Sequence, residues 1–193
     1  SSTTNYVDFD LCVFPAPLPP ANDACIDATF IAGFNNGDAQ DAFGATNNDG
    51  FIAEAGCGSA NDGVWYTFEV AIAGTINVDV TAVVGWDPEI TVLSGGCGTF
   101  TCVDNADGGG TDGDESVSFL AEADTQYWVN VANWSGFTDN DEGPFAIDIS
   151  SPDTAVLATS LDVQDFNRIS LFSYYPNPVN NTLTLNAQQA INN

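Results

Sequence analysis

The sequence has almost no positive charge. Among 193 residues there is no histidine, and Lys and Arg together number 1, which is Arg168, against 27 acidic residues and a formal net charge of −26. Such a surface cannot neutralise phosphates, which excludes nucleic acid as a partner and disfavours anionic membranes. Without histidine or lysine, no Ser-His-Asp triad, Cys-His pair or Schiff base can form. Only carboxylates, tyrosine or a metal remain for chemistry, and no acid pair stands out, so we predict no enzymatic activity.

Long apolar runs and helical periodicity are also missing from the sequence. No run is long enough to cross a membrane, so we expect no membrane insertion. Short segments of alternating apolar and polar residues recur between turn signals, a pattern typical of an all-β sandwich. The predicted strands are 29–31, 64–70, 75–81, 90–93, 99–103, 116–120, 126–132 and 144–149.

Proline-rich and polar segments divide the chain. We predict an isolated strand at 1–14, a Pro-rich linker at 15–21, a β-sandwich at 22–150, a linker at 151–160 and a partial second β-domain at 161–193. The isolated strand has one apolar face and cannot be stable alone. It needs a sheet edge, supplied either by a preceding domain or by another copy of the chain through strand donation.

Five cysteines indicate an exported protein with disulfide bonds. Cys97 and Cys102 are close enough in sequence to staple a hairpin, and Cys25 and Cys57 can clamp the first strand to a later loop. Sequence alone does not fix the connectivity, so this pairing stays an expectation. Cys12 is then unpaired, or it pairs with a region or subunit outside this chain.

Acidic and amide side chains crowd into one glycine-rich loop. Carboxylates packed so densely repel one another, and the chain has almost no basic side chain to place between them. Ca²⁺ takes six to eight oxygen ligands in flexible geometry and suits such a loop. We therefore predict a structural Ca²⁺ site. Its candidate ligands are Asp87, Asp104, Asn105, Asp107, Asp112, Asp114 and Glu115.

The tryptophans separate into two groups. Trp65 and Trp86 fall in or beside predicted strands and are expected in the core. Trp134 and Phe137 fall in a loop and are the candidates for contact with a ligand, although a loop that packs on its own sandwich is the alternative.

A series of motifs resembles the bacterial pre-peptidase C-terminal domain. The motifs are Pro20–Cys25, Val64–Phe68, Trp86–Gly95, Cys97–Cys102, Asp104–Asn105 and Tyr127–Val131. The resemblance covers about residues 20–150 and implies a jelly-roll-like β-sandwich that is non-catalytic and often binds Ca²⁺. The resemblance also implies neighbouring domains, because such domains accompany secreted hydrolases or repeat in large surface proteins.

The C-terminal segment is similar to the start of a type IX secretion sorting domain. Tyr175-Pro-Asn-Pro, followed by a short strand to Leu185, carries the resemblance. It implies export by the type IX machinery to the outside or outer surface of a Gram-negative bacterium. Asp153-Thr-Ala155 also resembles the O-glycosylation site of such bacteria, which makes Thr154 a candidate for modification.

Together these features predict a secreted or cell-surface module for adhesion, binding or extracellular assembly, stabilised by Ca²⁺. Its expected partners are an extracellular glycan, a protein surface or copies of itself. Two alternatives stay open: an accessory domain of a secreted peptidase or glycosidase whose catalytic domain lies upstream, and a subunit of a filament assembled by strand donation.

Overall fold

A computed structural model describes residues 17–34, 37–46, 50–58, 63–81, 83–134 and 142–158, and two short strands at 172–175 and 184–187. The chain separates into two compact units, Ser1–Thr159 and Ser160–Asn193. The predicted strand at 1–14, with Cys12, and the loop residue Phe137 lie outside the described residues.

The first unit is a sandwich of two β-sheets, which confirms the predicted all-β class. Its strands are β1 (Thr29–Phe30), β2 (Asp38–Asp41), β3 (Gly63–Ile72), β4 (Gly74–Thr81), β5 (Pro88–Ser94), β6 (Thr101–Ala106), β7 (Glu115–Ala121), β8 (Thr125–Asn133), β9 (Pro144–Ser150) and β10 (Val156–Leu157). One sheet has the order β1-β3-β8-β5-β6, with β10 also pairing with β3, and the other has the order β2-β9-β4-β7. All neighbours are antiparallel except β1 and β3.

The main core lies between the two sheets. Strand β4 shows why, because its residues alternate between fully buried and half-buried along the whole strand. Ile76, Val78 and Val80 face inward, as the alternation predicts, and meet inward side chains such as Val129 of β8. Trp86 is also in this core, where its ring packs against Phe145.

A second apolar cluster covers the outer face of the six-stranded sheet. A 3-10 turn (Cys25–Asp27) and helix α1 (Phe51–Ala55) lie over this face. Phe100 forms the centre of its aromatic packing, with ring centroids 5.6 Å from Trp65, 5.7 Å from Trp128 and 5.9 Å from Phe51. We call this the outer cluster. It buries Trp65, as expected, although on the outer face and not between the sheets.

Two disulfides close the outer cluster, and their pairing differs from the expected one. Cys25 bonds to Cys97 and Cys57 bonds to Cys102. Cys102 lies opposite Leu93 in the β5–β6 pair, and Leu93 belongs to the outer cluster, so Cys102 meets Cys57 at the end of α1. The expected disulfide between Cys97 and Cys102 was wrong, because each of these cysteines bonds to a cysteine of the segments that cover the outer face of the sheet.

Three short elements were not predicted. Helix α1 and strand β2 lie in or beside segments interpreted as polar loops, and β10 forms within the segment expected to be a linker. β2 is polar, Asp-Ala-Gln-Asp, and gains strand structure by pairing with the edge of β9. β10 has only two residues and is fixed by β3.

The second unit contributes one described feature. Strand β11 (Phe172–Tyr175) pairs with β12 (Thr184–Ala187) in antiparallel register, with Tyr175 opposite Thr184. Residues 176–183, between these two strands, lie outside the described residues. No helix in the described ranges is long and apolar enough to span a membrane.

Candidate functional site

Polar side chains gather at one end of the sandwich. Asp87 precedes β5, Glu115 begins β7, Asp107 follows β6, and Asn133 is the last residue of β8. We call these four residues the acidic end. Pro88 pairs with Asn133, and the Trp134 amide donates a hydrogen bond to the Asp87 carbonyl at 2.9 Å. The ends of β5 and β8 are therefore held side by side at this site.

Asp87 is a buried carboxylate of the acidic end. The residue is 9% exposed, and its Oδ1 is buried without a hydrogen-bond partner. Burial raises the pKa of this carboxyl, and the charges of Asp107 and Glu115 raise it further. Ionisation of the Asp87 carboxyl is therefore unfavourable in the folded protein.

Glu115 anchors the loop that crosses the acidic end. The residue is 5% exposed, and its Oε1 accepts hydrogen bonds from the backbone amides of Gly108, at 2.7 Å, and Gly109. Asp112 adopts a left-handed conformation, and its Oδ1 accepts the Gly85 amide at 2.5 Å. The loop is thus folded by its own carboxylates binding backbone amides.

The seven predicted ligands do not all converge. The charges of Asp107 and Glu115 act on the Asp87 carboxyl, although the Asp107 side chain is itself exposed. Asp112 binds the Gly85 amide, Asp104 Oδ1 accepts the Asn105 amide at 2.9 Å, and Asn105 and Asp114 are exposed. Within the described ranges, no group of three acidic or cysteine side chains stands close enough to hold a metal ion as positioned.

Sequence reasoning missed Asn133. This residue is 4% exposed, and its Oδ1 is buried without a hydrogen-bond partner. In β8 it continues the inward-facing series of Tyr127, Val129 and Val131, so the period of two was the signal that places it inside. Glu142 was also missed: it is 4% exposed and precedes Gly143, which packs on Trp86.

A buried carboxylate lies on the outer face as well. Glu89 is 1% exposed, and its Oε1 lies close against the backbone of Gly58. Asn130, one strand away, is also 1% exposed and donates to the Val64 carbonyl at 3.4 Å. Both polar side chains therefore lie on the outer face of the six-stranded sheet, where Glu89 lies beside Gly58.

A second acidic surface runs over the outer face of the four-stranded sheet. Asp79 lies directly opposite Asp148 and accepts a hydrogen bond from the Ser116 hydroxyl at 2.5 Å. Burial raises the pKa of Asp148, and the charges of Asp79 and Asp38 add to the effect. The open groove at this place has a volume of about 520 Å³ and reaches Glu115. Both acidic regions repel anions.

Trp134 is an exposed aromatic side chain that directly follows Asn133 of the acidic end. It is 39% exposed, whereas Trp65 and Trp86 are 1% and 2% exposed. Thr154, the candidate for modification, is exposed, and its hydroxyl donates to the Ala73 carbonyl at 3.4 Å.

Comparisons with known proteins add a structural likeness. No protein-family model and no curated protein matches the chain. A pre-peptidase C-terminal domain of a collagenase from Bacillus anthracis is similar over 64% of this chain and 94% of its own, with 16% identity and a TM-score of 0.42. A Xyl-CBM35 solved with a disaccharide containing glucuronic acid is similar over 67% and 94%, with 16% identity and a TM-score of 0.35. Neither likeness extends to a ligand or an activity of this chain.

Proposed function

We propose that this chain is an exported, non-catalytic β-sandwich module that works by contact, with Trp134 and the acidic end as its contact region. The observation that carries the proposal is the joint position of an exposed aromatic ring and unsatisfied oxygens at one end of a disulfide-closed scaffold. Disulfides are typical of exported proteins. The absence of histidine and lysine from the whole sequence leaves few routes to catalysis.

The proposed ligand is an extracellular glycan or a neutral or basic protein surface. An aromatic face provides stacking area, and the surrounding carboxylates reject anionic partners. Ca²⁺ is proposed as a structural ion at the same end, because it would offset the charges of Asp87, Asp107 and Glu115.

The test is binding of the whole chain to a glycan array and to extracellular protein extracts, with Trp134→Ala beside Leu120→Ala. Leu120 is a matched control, since it is 79% exposed and lies near the opposite end of β7. We expect Trp134→Ala to lose binding and Leu120→Ala to keep it. Equal binding by both variants would refute the contact region.

Strand donation is the second candidate, and the edge of the four-stranded sheet favours it. In the described part of the chain, β7 is hydrogen-bonded on one side only, to β4. Its sequence, Glu-Ser-Val-Ser-Phe-Leu-Ala, carries no proline or lysine to block another strand. The predicted leading strand, residues 7–13, is a donor of suitable length. Filaments in electron micrographs that vanish when residues 1–14 are deleted would support this candidate, and a monomer in light scattering would refute it.

For export, we propose that residues 161–193 act as a type IX sorting signal that delivers the module outside a Gram-negative cell. The antiparallel pairing of β11, which ends at Tyr175, with β12 supports a folded signal. Fusion of residues 160–193 to a reporter in a type IX secreting bacterium tests it. Retention of the reporter inside the cell would refute it.

A further inference from the structure

A groove opens on the outer cluster, between helix α1 and the turn that joins β5 to β6. Its volume is about 220 Å³. The helix and the turn supply its lining residues, which are Phe51, Glu54, Ala55, Gly98, Thr99 and Phe100. We call this the aromatic groove. It is separate from the acidic end, because the turn follows the last residue of β5, whereas Asp87 precedes the first.

Two phenylalanine rings form the apolar part of the aromatic groove. Phe51 and Phe100 are both half-buried, and their ring centroids lie 5.9 Å apart at an interplanar angle of 68°. Phe100 is held in place by stacking on Trp65. A Cβ at Gly98 would lie 3.7 Å from Phe51 Cε1, so the glycine leaves this ring uncovered on the side of the turn. Aromatic rings attract cations through their quadrupole, which makes such a surface suitable for a positively charged group.

Both walls of the aromatic groove are fixed by covalent bonds. The Cys57–Cys102 disulfide begins two residues after the end of α1 and reaches β6. The Cys25–Cys97 disulfide holds the turn directly before Gly98. A groove that is already formed loses little conformational entropy when a ligand enters, so even a small ligand can bind there.

The charge around the aromatic groove favours a positive ligand. Glu54 is exposed and brings a carboxylate to the lining, and the whole sequence has a formal net charge of −26. The carboxylate attracts cations and repels anions, and the net charge accelerates the arrival of positive partners. Lysine and arginine side chains combine an apolar stem with a charged head. Their stem can therefore lie on the rings while the head reaches the carboxylate.

We propose that the aromatic groove is a docking site for one lysine or arginine side chain of a basic partner protein. The rings of Phe51 and Phe100 contact the methylene stem and attract the cation, and Glu54 pairs with the charged head. This site does not depend on the contact region around Trp134. A partner that occupied both would contact the sandwich at the two ends of β5, about 20 Å apart.

The experiment is an NMR titration of the full, disulfide-bonded chain at constant ionic strength. The probes are Nα-acetyl-lysine methylamide, its arginine counterpart and its norleucine counterpart, which has no charged head. We expect the two basic probes to shift the amide resonances of Gly98 and Thr99 in a saturable way. The norleucine probe should bind at least about threefold more weakly, because it gains only the apolar contact. No saturable shift at tens of millimolar of either basic probe would overturn the proposal.

Two variants and a matched control separate local contacts from net charge. Glu54→Gln removes the carboxylate of the groove, and Glu122→Gln makes the same change in net charge at an exposed residue outside it. We expect Glu54→Gln to weaken lysine binding at least about threefold, and Glu122→Gln to weaken it less than about 1.5-fold. Phe51→Leu keeps an apolar side chain and removes the ring, so it should weaken lysine binding at least about twofold.

Melting temperatures show whether the variants are folded, and Glu54→Gln, a change at an exposed side chain, should melt with the parent chain. Equal effects of Glu54→Gln and Glu122→Gln would reduce the interaction to net charge and overturn the proposal. Equal binding of the lysine and norleucine probes would overturn it as well, because the groove would then select no charge. Since Trp134 does not line the groove, its own binding assay can fail or succeed independently of this one.

Discussion

Removal of the Cys25–Cys97 disulfide should destabilise the sandwich strongly. This bond joins residues 72 apart in sequence, and the Cys57–Cys102 bond joins residues 45 apart. Loop-closure entropy scales with the logarithm of loop length, so each bond should contribute about 4 kcal/mol, with the longer loop ahead by about 0.4 kcal/mol. Cys25 is 2% exposed and Cys97 is half-buried, so alanine is the replacement that adds no polar group.

The assay is urea unfolding of Cys25→Ala/Cys97→Ala in a Cys12→Ser background, which leaves Cys57 and Cys102. We expect a loss near 4 kcal/mol and a larger m-value, because the unfolded chain becomes less constrained. A thiol count on the denatured variant should find no free thiol. Two free thiols would show the alternative pairing, and a loss below about 1 kcal/mol would refute the entropic argument.

Three further predictions concern single side chains. Gly63→Ala should lower the free energy of unfolding in urea by about 1–3 kcal/mol, because the new Cβ would lie 2.7 Å from the Ala132 Cβ and 2.8 Å from the Val131 carbonyl oxygen. Gly96→Ala is the control and should be neutral, since the space around Gly96 is open. Equal effects of the two substitutions would contradict the packing. Phe100→Ala should lower the free energy of unfolding by about 2 kcal/mol, since the half-buried ring contacts Trp65, Phe51 and Trp128. The control is Phe34→Ala, which should lower it by less than about 0.5 kcal/mol because Phe34 is 44% exposed. Hydrogen bonds from the Thr75 hydroxyl and amide, and from the Ala155 and Thr154 amides, lower the pKa of Asp153 to about 2, so its stabilising effect should be complete above pH 3.8 and disappear as the pH falls toward 2. An NMR titration of Asp153 with an unshifted pKa would contradict this.

The pH response of Asp87 should have the opposite sign to that of Asp153. Its pKa is raised, so the folded state prefers the protonated form. In metal-free protein, stability gained from this group should rise as the pH falls from neutral through the raised pKa, and Asp87→Asn should remove that rise. A chelator-treated sample whose pH profile is unchanged by the substitution would contradict the assignment.

The main strands could be predicted because their period of two is a local property. Thr75–Thr81 alternates in sequence and in burial, and β4 spans the same residues with one more at the start. β2 and β10 could not be found this way, since their backbone pairing comes from β9 and β3 and not from their own side chains.

Features that depend on sheet order were beyond local reasoning. The disulfide pairing follows from which cysteines lie above the outer face, and the sequence does not say that this face is covered. Asp87, Asp107 and Glu115 of the acidic end had been named as candidate ligands because of the acidic composition of their segments. Asn133 was not named, because the sequence does not show that the end of β8 lies beside the start of β5.

The chain is fastened to the sandwich in different ways where it enters and where it leaves, which matters when the chain is pulled. On the entry side, the Cys25–Cys97 bond lies just before β1 and ties the polypeptide covalently to the hairpin of β5 and β6. On the exit side, β10 holds two residues against β3, and the Ala158 amide adds one bond to the Glu69 carbonyl at 2.8 Å. Tension applied between flanking segments would therefore peel β10 first and stop at the covalent side. Under such tension the module would unfold at its C-terminal end first, while the disulfide would keep the N-terminal end attached to the sandwich.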